Sequence, residues 1–115
     1  MTFQSTALSA RDVAEAQALL HENGWTDGLP VVLPTEEAVA ACLAEALMPP
    51  EQLLGIEPVR GRPLTAEKVA INAVMAGCAP EHFPAVVTAW HAMLSPPFLL
   101  HGATSSTGGC AVLAI

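Results

Sequence analysis

Apolar residues recur at helical spacing along four stretches of the chain, and one of these is apolar on every face. That stretch is residues 65–84, TAEKVAINAVMAGCAPEHFP. Thr65 is a helix-capping residue, Glu67 suits the positive end of a helix dipole, and between residues 69 and 76 Asn72 alone is polar. A helix without a polar face belongs on the inside. The pattern therefore predicts a central helix buried all round, with Asn72 as its one paired amide. Asn72 would then either bond a neighbouring backbone group within the core or pin the Asp27 turn or the loop at 104–109. Gly77 supplies the stop, and Pro80 and Pro84 set the next turn.

The other three stretches are amphipathic. Ser9 opens the first, with Asp12 three residues on as an approximate capping box. Val13, Ala16, Gln17 and Leu20 share a face, His21 falls near the C-terminal end, and Asn23-Gly24 closes the helix. Thr35 caps the second, whose stripe is Val39, Cys42, Leu43, Ala46 and Leu47, so Cys42 reads as a buried small hydrophobe. Pro49-Pro50 ends it, and residues 51–54 predict one further helical turn closed by Gly55. The last helix spans residues 85–94, with Val86, Val87, Trp90 and Leu94 along one side.

Short extended pieces lie between the helices. Asp27-Gly28 is a turn signal, and Pro30 and Pro34 bracket Val31, Val32 and Leu33, which predicts an edge strand or an extended crossing. Residues 56–64 predict a short strand or connector turning at Arg60-Gly61. Residues 98–100 and 111–115 are apolar strand candidates, and residues 1–8 read as a loose start. The expected fold is α/β, with about four helices and a few short strands. Residues 1–115 would form a single domain or the N-terminal part of a larger α/β domain, because the strand at 111–115 has no closing turn.

Composition sharpens that expectation. The chain is 52% hydrophobic, 4% aromatic and 13% charged, where soluble domains carry about 25% charge. So few charges cover a surface poorly, which points to a partner surface: a second subunit or further chain. The net charge of −7 provides no basic stripe for phosphates, so a nucleic-acid partner is not expected. No stretch reaches the roughly 20 apolar residues of a membrane span, and no signal-peptide pattern opens the chain. Cys42, Cys78 and Cys110 are widely spaced without a CxxC, which fits a reducing, cytoplasmic setting.

Candidate chemistry concentrates in HGATSSTGGC, residues 101–110. Gly102, Thr104, Ser105, Ser106, Thr107, Gly108 and Gly109, next to His101, offer backbone amides and hydroxyls of the kind that bind anions, and a polar connecting loop has the same composition. The spacing matches neither a phosphate-binding Walker loop nor a dinucleotide fingerprint. Cys110, after two glycines, is the candidate reactive thiol, although a buried structural thiol fits the same position. Asp27 either makes a local turn or faces a cleft as acid, base or ligand, and Trp25 beside it would plug a core edge. His82, His91 and His101 with Cys78 and Cys110 lack metal-ligand spacing, so no metal is expected. No cofactor is indicated.

Taken together and in this order, GWTDGLPVVLPT, VAINAVMAGCAPEHFP and ATSSTGGCAVLAI resemble an uncharacterised bacterial family found beside, or fused to, UGSC-motif (seleno)proteins. The resemblance covers about residues 20–115 and implies a chain that continues past Ile115 into an Asn-Gly-Pro turn. The UGSC partner is more distantly similar to selenocysteine or cysteine components of glycine-type reductases, which implies thiol or selenol redox chemistry nearby. The resemblance assigns no catalytic residue, but it marks Asp27, Asn72, Cys78 and residues 104–110. Two functions follow as expectations. One is a component of a cytoplasmic enzyme acting reductively on a small organic molecule. The other is a non-catalytic subunit or binding module docking a UGSC-type partner through an apolar surface.

Overall fold

The computed structural model describes residues 1–100 and 111–115. Among them the fold is mixed α/β, with four α-helices and one two-stranded antiparallel sheet. The helices are α1 (Val13–Glu22), α2 (Glu36–Glu45), α3 (Ala66–Met75) and α4 (Phe83–Met93); β1 (Leu53–Glu57) pairs with β2 (Arg62–Thr65). No helix of the described residues is long and apolar enough to cross a membrane.

Each of the first three helices begins on a side-chain cap. Asp12 accepts from the Glu15 amide at 2.8 Å, Thr35 from Ala38 at 3.2 Å and Thr65 from Lys68 at 3.4 Å. α1 therefore starts at Val13 and not at Ser9, because Asp12 is itself the cap. The same three helices end alike, each in a pair of nested hydrogen bonds that closes on a left-handed residue. In α1 these run from Gly24 to His21 and from Trp25 to Leu20; in α3, from Gly77 to Val74 and from Cys78 to Ala73. In α2 the left-handed position is Leu47, with φ of 53°. Leu47 is 90% exposed and does not join the apolar stripe expected of it.

The core lies where α2 and α3 pack together and α4 and β1 close over them. Cys42, Leu43 and Phe83 are its largest fully buried side chains, joined by Val39, Val69, Ala70 and Val74. α4 begins two residues earlier than expected, which brings Phe83 into that core. The predicted helical turn at 51–54 does not form. Leu53 and Gly55 instead enter β1, and a β-carbon built on Gly55 would come 2.7 Å from Leu94 Cδ1, so β1 lies close against the end of α4. The Arg60-Gly61 turn is a hairpin turn, with the Glu57 carboxylate accepting from the Arg60 amide at 2.9 Å.

Two further expectations give way, and one alternative is decided. α3 is buried on one side only, through Ala66, Glu67, Val69, Ala70, Ala73 and Val74, while Asn72 is exposed. Its neighbours α2 and α4 cover one flank, and its outer face is left to a cleft. Of the two readings of residues 31–33, the extended crossing forms and the edge strand does not: Val32 N donates to Met75 O at 3.3 Å, and Gln17 pairs with both backbone groups of Val31. Residues 98–100 and 111–115 are not strands. A strand needs a paired neighbour, and the hairpin pairs only with itself among the described residues.

Candidate functional site

An open-sided cleft of about 800 Å³ runs along the outer face of α3. Ile71 and Met75 of α3 form its floor, Ala16 and Leu19 of α1 one wall, and Leu33 and Val39 flank the entry to α2. Its size falls within the range of ligand sites, roughly 300–1,000 Å³, and its lining is chiefly apolar. Trp25, expected to plug a core edge, is 53% exposed and lines this cleft. The α1 end motif places it there, since Trp25 is the residue whose amide closes that helix on Leu20.

The remaining wall is the N-terminal segment, which was expected to be loose. Phe3, Ser5 and Leu8 line the cleft, and Phe3 also packs against the core. What holds the segment is Glu67, only 2% exposed in the first turn of α3. Its carboxylate accepts from the Gln4 amide at 3.0 Å and the Ser5 amide at 2.8 Å. The neighbouring Lys68 Nζ donates to Ser5 Oγ at 3.0 Å. Glu67 also donates its own amide to Pro50 O at 2.9 Å, so one residue ties three segments together.

Burial by itself would raise the Glu67 carboxyl pKa. The hydrogen bonds from Ser5 and Gln4, with the Lys68 ammonium beside it, outweigh burial and hold the carboxyl below its ordinary value. The group is therefore an ionised acceptor committed to two amides. It is not an acid or base waiting for substrate.

The candidates marked in the sequence are scattered. Asp27 is exposed, and its Oδ1 accepts from the Leu29 amide at 3.0 Å, which is the local Asx turn. Cys78 is half-buried away from the cleft, with its thiol 3.4 Å from Ala79 O. Asn72 lines the cleft, but its Nδ2 donates back along α3 to Lys68 O at 2.8 Å. It does not pin the Asp27 turn: an exposed amide reaches its own helix carbonyl more readily than a distant loop. His101, Gly102, Thr104, Ser105, Ser106, Thr107, Gly108, Gly109 and Cys110 lie outside the described residues.

Cys42 is fully buried, and burial, with a smaller contribution from nearby Cys78, pushes its thiol pKa up, so it is not an activated nucleophile. Among the described residues no group of three or more His, Cys, Asp or Glu side chains converges as a metal site. In the sequence Glu67 reads as a dipole complement and Gln17 as part of the apolar face of α1, and nothing there singles out Ser5 or Lys68. No local signal in the sequence marks Glu67 as the anchor of a segment more than 60 residues away.

No family model, curated protein or solved structure matches this chain.

Proposed function

We propose that this chain is a non-catalytic binding module, or subunit, that docks another polypeptide through the apolar cleft and the crossing beside it. The supporting observation is the exposure of large apolar side chains there. Trp25, 53% exposed, lines the cleft, while Leu29 and Val32 stand exposed on the same crossing. Exposed apolar surface of this kind, rimmed by polar groups such as Glu36 and Lys68, is what polypeptide interfaces cover. The partner proposed is a UGSC-motif protein in the cytoplasm, in keeping with the sequence resemblance and the three separated cysteines.

The test is calorimetric binding of a purified UGSC-motif protein to the chain and to a Trp25→Ser, Val32→Ser variant. Truncating two central apolar anchors is expected to weaken binding by about tenfold or more, given that hot-spot residues each contribute over ~1–2 kcal/mol. No binding by the unaltered chain, or equal binding by the variant, would sink the proposal.

The enzyme-component reading keeps one observation in its favour, the cleft volume, which suits a small organic molecule as well as a peptide segment. In that reading the partner supplies the reactive thiol or selenol and the cleft holds the substrate.

A further inference from the structure

The N-terminal segment lies along α3 as one wall of the cleft, held in the manner of a bound peptide. Residues 1–10 contain no helix or strand, and the hydrogen bonds that tie them to the rest of the protein converge on two adjacent residues of α3, Glu67 and Lys68. Two successive backbone amides, Gln4 and Ser5, donate to the Glu67 carboxylate, and the Ser5 hydroxyl accepts from Lys68. On either side, Phe3 and Leu8 lie against the apolar lining. An extended backbone gripped through its amides, with apolar side chains flanking, is a general mode of peptide recognition.

We propose that residues 3–10 are a displaceable strap, an internal pseudo-ligand of a peptide-binding groove. The groove's intended occupant is then an extended segment of a partner. That segment presents two successive free amides to Glu67, a serine or threonine hydroxyl to Lys68, and an apolar side chain on each flank. This deepens the docking function proposed above and rests on it. Glu67 is the positioning residue. Its carboxylate is buried beneath the strap and ionised, and a segment that covered it again without offering donors would leave an unpaired buried charge, which is costly. An incoming segment must therefore replace the strap's amides as it displaces them. That requirement selects for extended backbone over an apolar surface alone. A cis-occupied groove also weakens the apparent affinity for the partner by the fraction of time it is free.

Two full-length variants test this from opposite sides. Ser5→Pro removes one donor amide and the hydroxyl that Lys68 reaches without touching α3, and Glu67→Gln removes the charge while keeping one acceptor. Amide hydrogen exchange at Gln4 reads whether the strap is released. The probe for the groove is a synthetic peptide of the strap's own sequence, TFQSTALSA, with binding followed by Trp25 fluorescence. Gln4 is expected to exchange at least about tenfold faster in both variants, with α3 amides unchanged, since tenfold corresponds to 1.4 kcal/mol. The peptide should bind Ser5→Pro about tenfold or more tightly than the unaltered chain, and bind Glu67→Gln more weakly than Ser5→Pro. Unchanged Gln4 exchange in both variants would overturn the latch. Peptide binding equal in Ser5→Pro and the unaltered chain, or absent from a Ser5→Pro protein with a released strap, would overturn the groove. Strap release and peptide binding together with no affinity for a UGSC-motif protein would leave this inference standing and remove the partner assigned above.

Discussion

Leu47 and Gly77 occupy equivalent positions at the ends of α2 and α3, and the comparison isolates what one side chain costs. Both have positive φ, 53° for Leu47 and 88° for Gly77, and both donate to the carbonyl three residues back. Glycine adopts this conformation freely, whereas a β-carbon there crowds the following carbonyl. Leu47 gains nothing in return, since it is 90% exposed. Leu47→Gly is therefore expected to stabilise the protein by about 0.5–1 kcal/mol, after the larger chain entropy of glycine is subtracted. Urea unfolding of the two proteins measures it, and a lower midpoint for the variant would show that Leu47 makes a contact the structure does not reveal. Asn72 teaches the opposite lesson. The one amide on an apolar helix drew attention as a structural pin, yet it is exposed and satisfied by the carbonyl one turn earlier.

Among the elements, α1 stands apart from the packed body of α2, α3, α4 and the hairpin. Leu20 is its one buried residue, and its closest tie is polar: Gln17 donates from Nε2 to Val31 O at 2.6 Å and accepts from Val31 N at 3.1 Å. This two-way bond does for the crossing what a neighbouring strand would otherwise do, satisfying both backbone groups of one residue. Gln17→Leu would leave both half-buried groups without a partner. Stability is expected to fall by about 1–3 kcal/mol. The loss should appear first as faster exchange at Val31 and through α1, with α3 unaffected, because weakly packed elements open below the global unfolding energy. Uniform acceleration across all four helices would mean that α1 is integral to the core and does not form a separable wall of the cleft.

At the scale of the whole molecule, two buried groups bound the pH range of full stability. The Glu67 pKa is lowered on folding, so its contribution is present above the unfolded carboxyl value of about 4.3 and is lost as pH falls through the folded value. The Cys42 thiol is raised, so its neutral form contributes fully below about pH 8.5 and stability declines as pH rises beyond that. Thermal melts across pH should show a plateau between these limits. Acid should free the N-terminal strap, read by Gln4 exchange, before the core melts, because Glu67 anchors the strap while α2 and α3 are joined by apolar burial. A strap and core that melt together on acidification would contradict this order.

The sequence by itself determined the class of fold, the four helices and most of their ends, because caps, left-handed stops and prolines act within a few residues of themselves. Thr35, Thr65, Gly24 and Gly77 all stand where local chemistry places them. It also marked Cys42 as buried, since a stripe at helical spacing has one inside. Only the tertiary structure decided which face of α3 stays open, because a run apolar on all sides carries no preference among them. It likewise decided that residues 51–54 extend into a hairpin, since the choice between turn and strand was made by the pairing of β1 with β2 across the chain. The site followed the same rule. Glu67 reads locally as a dipole complement, and its capture of Gln4 and Ser5, more than 60 residues away in sequence, has no local signature at all. Hydrogen bonds between distant segments are set by where packing brings their ends, and that information exists only in the folded chain.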